Sequence, residues 1–375
     1  MRSDERDPTD WQPSPQHHAL ISVALAPTAA VAETWARYRN EVPVDALDTL
    51  DWGARRLVPL VAWRLREAGI DDAGTAPLRA DLSASMLAAR ATMSSFAAVV
   101  ETFEEAGFET LVLKGVGIAP LAYPDPGTRP VSDLDVLVRV DDLAALEELV
   151  ARHGGYRTYG AVDPVLRARY RHAATARIAG HDVDLHWRLL VDRFDGRPDA
   201  GLFDRSLDIP LGPGRALTLG VEDHIVHAIA HGIRRNSLAP VRWIVDVARL
   251  VEGHAVDWAV IEEQAALRHV EGVVSRALDF VGRRYQVPVP DATVEALRRA
   301  GGTRGRADVW SRSPKRTRVG GAVNVAAAHY VLATQGWTPV ERVARYPEYL
   351  RFRRTADDRT EAEAAADPGP MRWHG

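Results

Sequence analysis

The spacing of apolar residues changes twice along this chain, and these changes limit the folds that it can adopt. From about residue 20 to residue 106, apolar residues recur every three or four positions, as in amphipathic helices. From 109 to 189 they form short runs between glycine and proline turns, which is typical of strands. From Val221 onward the helical spacing returns. The pattern predicts an α+β protein with a small sheet between helical regions.

These changes predict five segments. In order, they are a disordered tail at 1–19, an N-terminal helical region at 20–107, a sheet-containing core at 108–215, a C-terminal helical domain at 216–354 and a flexible tail at 355–375. Within the core, we expect strands at 109–113 and 134–140, a helix with Asp141 as its N-cap, and a hairpin formed by 175–178 and 182–189. In the C-terminal region we expect a helix over 257–278 capped by Asp257, and a last helix around 322–333.

Composition excludes several classes of protein. Because the chain has no cysteine, disulfides and thiolate metal sites are excluded, and His, Asp and Glu remain as strong metal ligands. The first eighteen residues lack the apolar segment of a signal peptide, and no apolar run approaches the ~20 residues of a membrane span. We therefore expect a cytoplasmic protein without a membrane partner. A net charge of -4 argues against DNA as the main partner.

Two aspartates, Asp133 and Asp135, stand two residues apart where the second predicted strand begins. Residues i and i+2 of a strand face the same way, so both carboxylates are expected on one face of the sheet. At ~5 Å and an effective dielectric of ~20 they repel each other by about 3 kcal/mol, and a cation is expected beside them. Magnesium suits such hard oxygen ligands. The alternative, that Asp133 caps a turn and Asp135 is merely exposed, stays open.

The stretch HDVDLHW, from 181 to 187, offers a third carboxylate. Asp182, Asp184 and His186 share one strand face, and apolar residues occupy the other. Three carboxylates from two strands can hold two Mg²⁺ ions, one activating an attacking oxygen and one neutralising a triphosphate as pyrophosphate leaves. This pattern indicates nucleotidyl transfer. Asp184 is preferred to Asp182, because Asp182 adjoins Gly180 at the end of the hairpin, where a strand frays and a ligand lacks rigidity. His186 is expected to act near Asp184, as a hydrogen-bond partner of a ligand or as a general base.

Lys114 and Gly115 form a turn between the first strand and a helix. Such a turn offers an ammonium and backbone N–H groups to phosphate oxygens. The same stretch superficially matches a dinucleotide-binding fingerprint, with an acid about 20 residues further on. Pro120 replaces the third glycine of that fingerprint, and Asp135 begins its strand rather than ending it, so a dinucleotide-binding oxidoreductase is the weaker alternative.

Arg129 and Ser132 complete the set of residues predicted to bind the nucleotide. Arg129 lies four residues before the aspartate pair and can supply a second cation to the phosphate oxygens. Equally, it can neutralise Asp133 or Asp125, and both roles stay open. Ser132 directly precedes the pair.

Four motifs give the chain a family resemblance. They are LKG at 113–115, YPDPGTR at 123–129, DLD at 133–135 and DLHW at 184–187. With these motifs the sequence resembles the uncharacterised bacterial nucleotidyltransferase family of the DNA polymerase beta-like superfamily. The resemblance implies a small mixed sheet as the nucleotidyltransferase core, acidic ligands at Asp133, Asp135 and Asp184, and metal-dependent transfer of an NMP from an NTP. ATP is the expected donor. A small molecule, a peptide or protein, and an RNA all remain open as acceptor.

A second hypothesis is a catalytically silent protein that keeps this fold and binds a nucleotide or a partner. Such a protein would be expected to lose its acidic cluster, whereas all three carboxylates are present here. An active enzyme is therefore the favoured interpretation.

Two further features of the sequence have more than one interpretation. His224, His227 and His231 recur at i, i+3 and i+7, so one helix face carries three imidazoles. They are expected to be core or cleft histidines, with a zinc site as the alternative. The basic segment 304–318 is expected to be a solvated loop that could guide a polyanionic acceptor such as RNA.

Overall fold

A computed structural model describes residues 13–41, 50–71, 73–158, 162–190, 197–233, 241–312, 330, 334 and 337–366. Helices occupy both ends of this part of the chain, and six strands lie between them in sequence. The helices are α1 (Pro15–Leu25), α2 (Val31–Glu41), α3 (Trp52–Arg55), α4 (Val58–Glu67), α5 (Ala76–Glu105), α6 (Lys114–Ala122), α7 (Leu143–Arg152), α8 (Pro164–Tyr170), α9 (Val221–Gly232), α10 (Arg242–Gly253), α11 (Trp258–Leu267), α12 (Glu271–Tyr285), α13 (Asp291–Arg312) and α14 (Pro339–Ala366). The strands are β1 (Thr110–Val112), β2 (Leu134–Val138), β3 (Ala173–Ile178), β4 (His181–His186), β5 (Leu207–Leu211) and β6 (Gly214–Thr218).

The six strands form one mixed sheet in the order β3-β4-β2-β1-β6-β5. β2 is parallel to β4, and β1 is parallel to β6, whereas the other neighbours are antiparallel. The predicted α+β class and the predicted hairpin are therefore confirmed. Because β6 pairs with β1, the sheet continues to Thr218, beyond the expected end of the core at 215.

The direction of β1 and β2 excludes the dinucleotide-binding alternative. A dinucleotide fold needs parallel strands on either side of its glycine-rich turn, joined by a crossover helix. Here β1 and β2 flank α6 but run antiparallel, with Leu111 opposite Leu137. That interpretation of the Lys-Gly turn is wrong.

Several predicted boundaries also change. Asp141 does not cap a helix: residues Val140–Asp142 form a 3-10 turn, and α7 begins at Leu143. The pattern from 257 to 278 predicts one helix, but His269 adopts a φ of 52° and separates α11 from α12. A left-handed residue interrupts the helical hydrogen bonds, which is why helices often end there. The predicted cap Asp257 is confirmed, since its side chain accepts from the amide of Ala259.

The ends of the chain differ from the expected tails and loop. Helix α1 begins at Pro15, inside the predicted tail 1–19, and α14 continues to Ala366, inside the predicted tail 355–375. The basic segment 304–318 is not a loop throughout, because residues 304–312 belong to α13. The rest of that segment, and most of the helix expected at 322–333, lie outside the described residues. No helix of the described ranges is long and apolar enough to cross a membrane.

The two helical regions share a single hydrophobic core, although the sequence separates them by more than a hundred residues. Leu20 and Leu60 from the N-terminal region pack in one buried cluster with Ile244 and Leu278 from the C-terminal region. A second cluster lies against the sheet and includes Phe103 of α5. Burial of apolar surface therefore holds both helical regions together beside the sheet.

A buried ion pair connects the sheet to these helices. Arg129, in the loop before β2, donates Nε and Nη2 to the two carboxylate oxygens of Asp246 on α10, at 2.8 and 2.7 Å. Tyr123 donates its hydroxyl to the same carboxylate at 2.6 Å. Arg129 and Asp246 are 3 % exposed each. Burial alone raises the pKa of Asp246, but Arg129 outweighs it and holds that pKa below its usual value.

We expect Asp246→Asn to lower the free energy of unfolding by about 3–5 kcal/mol, because it leaves the Arg129 guanidinium buried without its anion. Chemical denaturation measures this loss. Asp208→Asn is the matched control, since Asp208 pairs with Arg215 at the surface and its loss is expected to stay within about 1 kcal/mol. Equal losses in the two variants would contradict the structural role of the buried pair.

Candidate active site

The register of β2 and β4 brings two of the predicted carboxylates together. Asp135 of β2 lies directly opposite Asp184 of β4. Side chains of residues paired in this way project from the same face of a sheet, so the two carboxylates face one space. Asp135 is 1 % exposed, whereas Asp184 is half-buried. The alternative that Asp135 is merely exposed is wrong.

Asp133 lies one residue before β2 and is exposed. Its Oδ1 accepts a hydrogen bond from the Ser132 hydroxyl at 3.1 Å. Asp133 is therefore not part of β2, although it directly precedes the strand that carries Asp135.

Two side chains contact the buried carboxylate of Asp135. The ammonium of Lys114 contacts its Oδ1, and Nε2 of His186 lies 2.9 Å from the same oxygen. Burial alone raises the pKa of Asp135, but Lys114 and the hydrogen bond from His186 outweigh it and hold the pKa well below the usual range. Asp135 therefore stays ionised on the face of the sheet that it shares with Asp184.

Lys114 occupies an unusual backbone position at the start of α6. Its φ is 49°, in the left-handed region that costs a non-glycine residue about 1 kcal/mol. Strain of this kind is often found at functional positions. The chain contains only one other lysine, Lys315, among its 47 basic residues. A lysine where arginine is used almost everywhere else is a signal that the sequence alone could have offered, because a compact ammonium fits a site that a planar guanidinium does not.

Gly115 follows Lys114, and the structure leaves no space there for a side chain. A Cβ at Gly115 would lie 2.6 Å from Nη1 of Arg129. That nitrogen is buried and has no hydrogen-bond partner in the described structure. Arg129 therefore packs under the Lys-Gly turn. The structure assigns its other nitrogens to Asp246, not to Asp133 or to Asp125, whose carboxylate instead accepts from the amide of Gly127 at 2.7 Å.

The other two polar residues on this face of β4, His186 and Asp182, have different partners. His186 was expected near Asp184, but its ring contacts Asp135 on the neighbouring strand. Asp184 instead accepts a hydrogen bond from the Thr175 hydroxyl at 2.8 Å. Asp182 is exposed at the end of the hairpin and forms an ion pair with Arg177 at 2.9 Å.

Two of the three histidines of α9, His224 and His227, are buried, whereas His231 is half-buried. Nε2 of His224 lies 2.9 Å from the Thr218 hydroxyl, and burial lowers the pKa of His224 to about 3. Burial, reinforced by Lys114, also lowers the pKa of His227. The rings of His227 and His231 meet edge to face at 5.7 Å. The buried, neutral imidazoles of His224 and His227 fit the expected core role.

Within the residues that the structure describes, no group of three or more His, Asp or Glu side chains is arranged to hold a metal ion. The zinc alternative for α9 therefore gains no support. The same finding covers Asp133, Asp135 and Asp184, and the cation that contacts Asp135 in the structure is Lys114.

Two arginines outside the predicted set of site residues border the site. One of them, Arg242, is the arginine that the sequence suggests as the partner of Asp246, but Asp246 pairs with Arg129 instead. Arg56, which follows α3, places Nη2 3.5 Å from the Ser132 hydroxyl. Arg242, the first residue of α10, donates to the carbonyl oxygen of Pro130 at 2.7 Å. Both contacts are with the loop that precedes β2. Their contacts with this loop could not be read from local spacing, so only the fold places them at the site.

Comparison with known proteins gives one match. The family described as uncharacterised nucleotidyltransferase matches residues 50–286, which is more than half of the chain. No curated protein and no solved structure matches the chain. The matched range includes the Lys-Gly turn and the three aspartates at 133, 135 and 184. The chain therefore belongs to this uncharacterised nucleotidyltransferase family, as its motifs had predicted.

Proposed function

We propose that this protein is a metal-dependent nucleotidyltransferase that transfers the NMP part of an NTP to a hydroxyl or phosphate oxygen of an acceptor. The acceptor oxygen forms a bond to the α-phosphorus, and the bond from that phosphorus to the bridging oxygen of the β-phosphate breaks. Pyrophosphate leaves, and a proton from a hydroxyl acceptor passes to solvent. The observation that carries the proposal is the pairing of Asp135 with Asp184 across two parallel strands.

The donor atoms at this site fit magnesium. Mg²⁺ prefers carboxylate oxygens and is usually held by one or two of them together with substrate phosphates, so a complete protein cage is not required. Asp133, Asp135 and Asp184 would hold up to two ions, which when bound would activate the acceptor oxygen and neutralise the triphosphate. The low pKa of Asp135 supports this assignment, because a metal ligand must be ionised.

Lys114 is suited to two successive contacts. Its ammonium neutralises Asp135 in the structure, and a cation bound at Asp135 would release it toward the phosphates. The residue before α6, Leu113, has no side chain that can accept from the first helical amides. Those N–H groups are therefore left for an anion, which the start of a helix favours. Gly115 belongs to this first turn and allows a close approach of the chain.

We expect Asp135→Asn to lower the rate of NMP transfer by at least about a hundredfold, because a metal ligand is lost while the amide oxygen can still accept from His186. The measurement is pyrophosphate release from each of the four NTPs, with Mg²⁺ and a cell extract as the source of acceptors. Mass spectrometry of the products then identifies the donor and the acceptor.

The assay has an internal check on folding, since the melting temperature of Asp135→Asn is recorded beside its rate. A folded variant that keeps its rate within tenfold of the wild type would exclude the metal role of Asp135. A wild-type protein that binds an NTP but modifies no component of the extract would favour the catalytically silent alternative.

We expect Lys114→Ala to weaken NTP binding much more than nucleoside binding, because the ammonium contacts the phosphates, which a nucleoside lacks. Calorimetry measures both affinities. Labelling offers a second readout: NTP with Mg²⁺ is expected to change the reactivity of Lys114 toward an amine reagent, with Lys315 as reference. Equal losses of NTP and nucleoside affinity would remove Lys114 from the phosphate site.

We expect Asp184→Asn to lose the thermal stabilisation that NTP with Mg²⁺ confers, and Asp182→Asn to keep most of it. Ligand at ~100 times its dissociation constant stabilises a protein by about 2.7 kcal/mol. Asp182 is the matched control, because it lies on the same strand but pairs with Arg177 at the surface. The choice of third ligand is wrong if Asp182→Asn loses the shift and Asp184→Asn keeps it.

A further inference from the structure

Three arginines from separate parts of the chain surround the loop 130–133, which leads into β2. Arg129 begins the loop and is buried under the Lys-Gly turn. Arg56 approaches the hydroxyl of Ser132, and Arg242 donates to the carbonyl oxygen of Pro130. Guanidinium groups repel one another, so such a cluster is costly unless anions accompany it.

Among the residues that the structure describes, the carboxylates that act on Arg56 and Arg242 are Asp133 and Asp246. Asp246 already accepts two hydrogen bonds from Arg129 and one from Tyr123. Asp133 is exposed and is proposed to bind a metal ion. Three cations therefore face two carboxylates, and both carboxylates have other partners.

Burial disfavours the charged form of both Arg56 and Arg242. It lowers the pKa of Arg56 to about 10, although Asp133 opposes this shift more strongly than Arg129 adds to it. Burial lowers the pKa of Arg242 to about 9, and repulsion by Arg129 and by Arg56 adds to the effect. In each case the charged form is disfavoured, and a bound anion would relieve it.

The geometry leaves this cluster accessible from one side. Ser132 and Asp133 are exposed, and Arg56 is only half-buried. The guanidinium of Arg56 lies 3.9 Å from the ring centroid of Trp52, which supports it in one orientation. The buried Nη1 of Arg129, without a hydrogen-bond partner in the described structure, links the cluster to the turn at Gly115. Planar guanidinium groups recognise phosphate through paired hydrogen bonds.

We propose that Arg56 and Arg242 form an anion subsite beside Asp133 that binds a phosphate group. This inference rests on the proposed function and extends it, because it assigns residues of both helical regions to substrate binding. The phosphate has two chemical sources: the terminal phosphates of the donor NTP, or a phosphate group on the acceptor. The two sources call for separate arms of one experiment.

The test compares Arg56→Gln with the wild type and with Arg55→Gln, an exposed neighbour on α3. Calorimetry with Mg²⁺ gives the dissociation constants of the four NTPs, the four NMPs and inorganic phosphate. If the donor supplies the phosphate, Arg56→Gln raises the Kd of the NTP roughly tenfold to a hundredfold and leaves the Kd of the NMP unchanged. If the acceptor supplies it, NTP binding is unchanged and inorganic phosphate binding is lost.

Arg242→Gln provides a second variant with the same expected pattern, and its melting temperature shows whether the loss of the Pro130 contact unfolds it. The subsite is overturned if neither NTP nor inorganic phosphate binding falls further in Arg56→Gln than in Arg55→Gln. It is equally overturned if the wild type binds neither ligand. A wild type that binds inorganic phosphate through Arg56 but no NTP would instead reject the proposed function and keep the anion subsite.

Discussion

The buried pair of Arg129 and Asp246 is the interaction on which the arrangement of the site depends. It joins the loop before β2 to α10, across 117 residues of chain, and two nitrogens of the guanidinium meet two carboxylate oxygens. A charge at this depth is tolerated only when it is paired and hydrogen-bonded, so the geometry of the pair is strongly restrained. The position of Arg129 determines the path of the loop, and the loop carries Asp133 into place. The glycine at 115 is needed for the same reason, because the guanidinium packs where a side chain would lie.

A second charge centre, on Asp135, gives the site its chemistry. An ionised carboxylate that is 1 % exposed must be compensated, and Lys114 and His186 do so from the adjoining turn and strand. The partner on the turn is a lysine in a chain whose other cations are almost all arginines. A flexible side chain with a single ammonium can leave one anion and contact another, whereas a guanidinium that is bound through two hydrogen bonds is held in one orientation. Asp135 and Lys114 therefore suit a site in which the ammonium can leave the carboxylate and contact another anion.

The helical regions contribute to the site as well as to stability. They share one hydrophobic core, and this core brings Arg56 and Arg242 to the loop 130–133. A small sheet could display its aspartates without these helices, but Arg56 and Arg242 come from them. In the proposed function the sheet and both helical regions therefore contribute to substrate binding.

Local patterns predicted the parts of this protein that depend on local physics. Two-residue alternation indicated which strand residues share a face, glycine turns marked the hairpin, and the motifs at Lys114, Asp135 and Asp184 identified the family. The same rules were wrong at Asp141 and near His269, where the exact ends of helices depend on backbone geometry that many sequences can adopt.

Only the tertiary structure decided which distant groups meet. The sequence by itself determined the α+β class, the acidic strands and the Lys-Gly turn, because strand period, turn chemistry and residue type act over a few positions. It left the partner of Arg129 open, placed His186 beside the wrong aspartate, and gave no reason to select Arg56. Those outcomes follow from the parallel register of β2 and β4 and from the packing of the two helical regions into one core. Pairings across a hundred residues depend on how whole elements bury their apolar faces, and no local spacing encodes that choice.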